Sequence, residues 1–226
     1  MTSENYRPAE RRPLASRQLS VAGRCATWLA ARNISPNAIS LAGVGFSIVA
    51  CLCLAGTAWT NGISARALFV LAALFIQARL LANLFDGMVA VQSGKASPRG
   101  EIFNEVPDRI SDPLIFIGIG FAAGGFPSLG FLCAVLALFV AYLRVFGNSL
   151  GATDLFLGPM AKPQRMATLT VACLYSALAP YGWFAGPGSN ASTGAATLAL
   201  SLIVLGTLVT AVRRLGKISA QIQDRA

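Results

Sequence analysis

Five of the chain's nine acidic residues fall in one window, NLFDGMVAVQSGKASPRGEIFNEVPDRISD, from Asn83 to Asp112. They are Asp86, Glu101, Glu105, Asp108 and Asp112. Carboxylate and carboxamide oxygens are hard donors, suited to Mg²⁺, Mn²⁺ or Ca²⁺. Divalent ions in turn suit phosphate substrates. Arg79, Asn83 and Asp86 follow one another at four and three residues, so a helix presents them on one face. Glu101, Asn104, Glu105, Asp108 and Asp112 recur at helical spacing and form a second polar stripe. Two antiparallel helices with such stripes facing each other make a pocket. The same residues also permit a structural reading, an ion-pair network with Arg79, Arg99 and Arg109.

The elements that must position these stripes are membrane helices. The 226-residue chain is 55% hydrophobic and 12% charged, against about 25% charged in soluble domains. Apolar runs long enough to cross a bilayer recur near 38–59, 67–88, 107–126, 128–147, 166–184 and 193–213. They lack the alternation of barrel strands. The expected fold is therefore all-α: a polytopic integral membrane protein with six transmembrane helices and an N-terminal amphipathic interfacial helix. Residues 1–35 read as a basic cytoplasmic arm, 36–215 as the transmembrane domain, and 216–226 as a cytoplasmic tail.

Net charge is +9, and the positive residues sort by loop. Arg7, Arg11, Arg12, Arg17, Arg24 and Arg32 precede the first span, Lys95 and Arg99 follow the second, and Lys162 and Arg165 precede the fifth. Arg213, Arg214, Lys217 and Arg225 close the chain, whereas the alternate loops hold only Arg66. The positive-inside rule then puts both termini in the cytoplasm, which agrees with an even number of spans. The basic excess is explained by topology and anionic lipid headgroups, without nucleic acid. SRQLSVAGRCATWLAARN reads as a surface-lying helix with Leu19, Ala22, Ala26 and Leu29 on one side and Trp28 at the interface. No apolar core of a signal peptide occurs in the first 35 residues. The five cysteines read as small apolar filler, and the absence of histidine excludes imidazole chemistry. GIGFAA, Gly118 to Ala123, approximates a dinucleotide fingerprint but has no strand before it; inside a span its small residues favour close helix packing.

The acidic window resembles the signature of the CDP-alcohol phosphotransferases, D-x-x-D-G-x-x-A-R, then eight residues, then G-x3-D-x3-D. Asp86, Gly87, Ala90, Gly100 and Asp108 match at the signature spacing. Asn83 and Asn104 stand in place of its first and third aspartates, and Val91 in place of its arginine. ISPNAISLAG, before the first span, is also similar to the family. The resemblance implies an enzyme of phospholipid biosynthesis in a bacterial inner membrane. Such an enzyme transfers a substituted phosphate from a CDP-linked lipid, with CDP-diacylglycerol the expected donor, to an alcohol acceptor and releases CMP. It implies one or two Mg²⁺ or Mn²⁺ ions at Asn83, Asp86, Asn104 and Asp108, with Asp108 also the general base. Gly87, Ala90 and Gly100 would lie against the nucleotide, and glycine at 87 and 100 lets it approach the backbone. Arg144, Lys162 and Arg165 would hold the acceptor or a phosphate group.

Asparagine keeps a neutral carbonyl oxygen for a metal, but two negative charges are gone. The alternative is therefore a catalytically silent relative that binds nucleotide, lipid or a partner protein. A small-solute transporter is disfavoured, because the acids crowd one edge rather than the midplane. A homodimer is left open. Pro107 either kinks its helix and frees the Phe103 carbonyl or starts the third span, and the second reading is preferred.

Overall fold

Proline starts and glycine turns divide the chain into helices. The computed structural model describes residues 20–93, 98–179 and 194–223. The helices are α1 (Ser20–Ala31), α2 (Pro36–Gly56), α3 (Gly62–Gln92), α4 (Pro98–Gly120), α5 (Pro127–Ser149), α6 (Lys162–Leu178) and α7 (Ala195–Gln223). Proline opens α2, α4 and α5, where the missing N–H removes nothing from the helix. Asn33 ends α1 in the left-handed region, at φ 57°. Ser35 Oγ accepts a hydrogen bond from the Ala38 amide at 3.1 Å at the head of α2.

The chain forms two compact units. The first comprises residues 1–46 and 78–111, the second residues 47–77 and 112–226. In the first, Ala22 and Ala26 of α1 are buried while Trp28 is exposed, with Arg32 over its ring. Leu19 lies outside the described residues. α2 and α3 approach closely here: a Cβ on Gly43 would sit 3.3 Å from that of Ala82.

The second unit packs on small residues in the same way. A Cβ on Gly118 would lie 2.7 Å from the Cys51 Cα, so α4 touches the backbone of α2. GIGFAA thus serves packing at Gly118, although it leaves the helix after Gly120 rather than lying wholly within a span. α7 packs on α5 and α6 and extends to Gln223, through much of the predicted tail. Arg214 is buried there and donates to the carbonyls of Val140 and Leu157. Lys217 donates to the Asp154 carbonyl at 3.0 Å. These basic residues hold the α5–α6 loop to α7 besides adding to the charge bias.

Outward-facing Leu52, Val135, Leu198, Leu205 and Val212 are exposed, while Arg79, Asp86, Asp112 and Arg165 are buried. Apolar outside and charged inside is the arrangement of a membrane protein. Residues 36–59, α3, α5 and α7 are long and apolar enough to cross a membrane. The chain is a polytopic integral membrane protein. α4 falls short of that measure because it carries Glu105, Asp108, Arg109 and Asp112. α6 has 17 described residues, about 26 Å of helix at 1.5 Å per residue. The rest of its predicted run reaches into residues outside the described set.

Pro107 does not start α4. The helix begins at Pro98 and runs through both Pro107 and Pro113. Each interior proline deprives the carbonyl four residues earlier, Phe103 or Arg109, of its helical donor.

Candidate active site

α3 and α4 bring three of the predicted residues together in the first unit. Asp108 is ion-paired with Arg79, and its Oδ1 also accepts a hydrogen bond from the Asn83 amide. Asp86, one turn beyond Asn83, accepts from Ser40 Oγ at 2.8 Å and from the Gly87 amide at 2.6 Å. Asp108 and Arg79 both act electrostatically on Asp86, with opposite sign. The α3 face therefore runs cation, amide, anion, and α4 contributes the second carboxylate. Gly87 and Ala90 lie on α3 and Gly100 on α4, all half-buried. Asn104 is also on α4; its side chain and those of Glu101 and Arg99 lie outside the described set.

The expected structural network is present in part. Arg79 takes Asp108, and Arg109 takes Glu105 one turn away on the same helix. Ser40 went unnoticed in the sequence. Its only signal was its place in ISPNAISLAG, the segment that resembled the family.

The predicted basic residues gather in the second unit. Asp112 lies 3.5 Å from both Lys162 Nζ and Arg165 Nη2. Asp112 and Arg165 are 4% and 5% exposed. The Arg165 guanidinium also stands 5.9 Å from the Phe116 ring, within cation–π range. Two cations around one carboxylate leave the cluster with a positive charge. Asp112 had been legible only as spare charge on the acidic stripe, yet it holds both cations. Arg144 lies elsewhere, 5.5 Å over the ring of Phe156.

No family model matches the chain. Individual proteins do. The phosphatidylinositol phosphate synthase of Streptomyces avermitilis is 26% identical over 195 residues, 84% of this chain and 74% of that protein. The archaetidylinositol phosphate synthase of Methanothermobacter thermautotrophicus is 32% identical over 139 residues, 61% of this chain and 66% of that protein. The fold matches that of Mycobacterium tuberculosis phosphatidylinositol phosphate synthase at 18% identity. With CDP-DAG bound, the TM-score is 0.68 over 88% of this chain and 94% of that one. With manganese and citrate it is 0.67 over 87% and 88%. The chain is thus similar in sequence to phosphatidylinositol phosphate and archaetidylinositol phosphate synthases, and it shares the fold of the first.

The cofactor that the resemblance to the CDP-alcohol phosphotransferases implies is a divalent cation, and the residues can be tested for it. Asp86 and Asp108 offer hard anionic oxygens, and Asn83, which donates to Asp108, lies one turn from Asp86 on α3. No group of three or more acidic, cysteine or histidine side chains suited to a metal occurs among the described residues. With Arg79 beside Asp108, the described cluster keeps one net negative charge. That donor set fits one divalent ion; it does not fit two.

Proposed function

We propose that the chain transfers a substituted phosphate group from a CDP-linked lipid, with CDP-diacylglycerol the donor, to an alcohol acceptor, releasing CMP in phospholipid biosynthesis. The observation that carries this reading is the hydrogen bond from Asn83 on α3 to Asp108 on α4, with Asp86 one turn beyond Asn83, all at the spacing of the family signature. Asn83, Asp86, Asn104 and Asp108 are the residues that would hold Mg²⁺ or Mn²⁺. When bound, such an ion neutralises charge on the donor's pyrophosphate.

The protein's own groups supply the rest. Asp108, 18% exposed at its side chain, takes the proton from the acceptor hydroxyl. Arg79 and Asn83 hold its Oδ1 and fix its orientation. Ser40 and the Gly87 amide orient Asp86. Gly87, Ala90 and Gly100 present a low helix surface to the nucleotide. Lys162 and Arg165, held by Asp112, receive an anionic group of the acceptor, and Arg144 adds to the positive charge of the same membrane side. Phosphatidylinositol phosphate synthase and archaetidylinositol phosphate synthase recur among the relatives, which favours a phosphorylated polyol such as inositol phosphate as acceptor. In this reading α2 to α7 make six spans, α1 lies on the cytoplasmic face of a bacterial inner membrane, and both termini are cytoplasmic.

The test is CMP release by purified protein given CDP-diacylglycerol, Mg²⁺ or Mn²⁺, and acceptor alcohols with and without a phosphate. Divalent-dependent release with a phosphorylated acceptor is expected. The Arg79–Asp108 pair gives the second reading, a catalytically silent relative, its particular support, since it occupies the candidate base. Silence of the wild type alongside turnover by Asn83→Asp/Asn104→Asp would favour that reading.

A further inference from the structure

Arg79 heads the fully buried side chains by size, at 2% exposure. A charge at that depth persists only when it is matched. Its match is Asp108, the same carboxylate oxygen that Asn83 donates to. The Nε–H of Arg79 has no acceptor among the described residues, so the guanidinium is not saturated by its fold contacts. Asp86, farther along the same face of α3, receives only neutral donors in its described hydrogen bonds, Ser40 and Gly87. The two carboxylates are therefore not equivalent: Asp108 is ion-paired with a fixed cation, whereas the described hydrogen bonds of Asp86 come from neutral donors.

We propose that Arg79 stands in for a second divalent ion: it holds Asp108 in place and supplies permanent positive charge beside it, so that the site takes a single divalent cation, centred on Asp86. The inference rests on the transfer reading and deepens it, by making Arg79 a positioning residue of that site. The loss of negative charge at Asn83 belongs with it. A guanidinium in place of a divalent ion leaves less positive charge to balance, and an amide donor at 83 completes the hold on Asp108.

The test counts ions. Mn²⁺ is titrated into purified, chelator-stripped full-length protein in detergent, and the loss of the free-ion electron paramagnetic resonance signal gives the number bound. One Mn²⁺ per wild-type chain is expected. Asn83→Asp should still bind one, because Arg79 remains. Arg79→Lys should also bind one, whereas Arg79→Met/Asn83→Asp should bind two. A purely structural arginine would change stability without changing these counts. Two ions or none on the wild type, or two on Asn83→Asp alone, overturn the proposal. If the double variant does not fold, those two counts still decide. CMP release from the same samples separates the claims. One ion without release with any acceptor counts against the transfer reading and leaves Arg79 as described, whereas two ions with release does the reverse.

Discussion

At the scale of single residues, the proposed transfer hangs on carboxylates whose partners differ. Asp86 is the only acidic residue of α3, so Asp86→Ala should abolish divalent-dependent CMP release. In the proposed roles, Asp108→Asn would keep an oxygen ligand but lose the proton acceptor. It should retain Mn²⁺ binding while turnover falls about 10²–10⁴-fold, the usual worth of a general base; single-turnover rates alongside metal titration would separate the two effects. Asp112 acts differently, because it sits between two cations in a buried cluster. Asp112→Ala leaves like charges facing each other away from water. A loss of about 3–5 kcal/mol is expected, the range for removing one partner of a buried ion pair, read as a fall in the midpoint of thermal unfolding in detergent. Asp112→Glu should recover part of it.

At the scale of elements, α4 does two jobs. Its first half carries the acids, and its second half packs without side chains in the way. Gly118 lies against the Cys51 backbone at a distance that no Cβ could keep. Gly118→Leu should therefore cost about 1–3 kcal/mol by overpacking and broaden thermal unfolding, with Mn²⁺ affinity unchanged wherever the protein still folds. Pro107 belongs to the same element. Its residue type suggested a helix start, but the helix had already begun at Pro98, leaving Pro107 in the interior. Local propensity yields there to the packing of a longer helix. Replacing Pro107 by Ala restores one backbone hydrogen bond, and a higher unfolding midpoint is expected.

At the scale of the whole molecule, charge distribution is the ground for the proposed orientation. The arm before α2 is basic and α1 presents Trp28 and Arg32 at its exposed side. Cys25 is the exposed member of five free cysteines. In a variant with Cys51 and Cys53 replaced by Ala, a membrane-impermeant maleimide should label Cys25 in inverted vesicles and leave it untouched in right-side-out ones. Labelling in right-side-out vesicles would reverse the proposed topology.

The helices, their order and the polar stripes were legible in the sequence, because hydropathy and helical spacing are local properties. Each of the six apolar runs overlaps a described helix, and the amphipathic segment before them overlaps α1. The clustering of acids on α3 and α4 could be read for the same reason. What only the tertiary structure decided is which charge answers which. Ser40 on α2 bonds Asp86 on α3, Arg79 on α3 pairs with Asp108 on α4, and Lys162 and Arg165 on α6 share Asp112 on α4. Each pair joins residues far apart in the chain, and spacing within one helix says nothing of which neighbour a packed helix will face. Spacing put Arg79 on the face of Asn83 and Asp86 and admitted it to an ion-pair network, but its burial and its choice of Asp108 appear only in the packed helices.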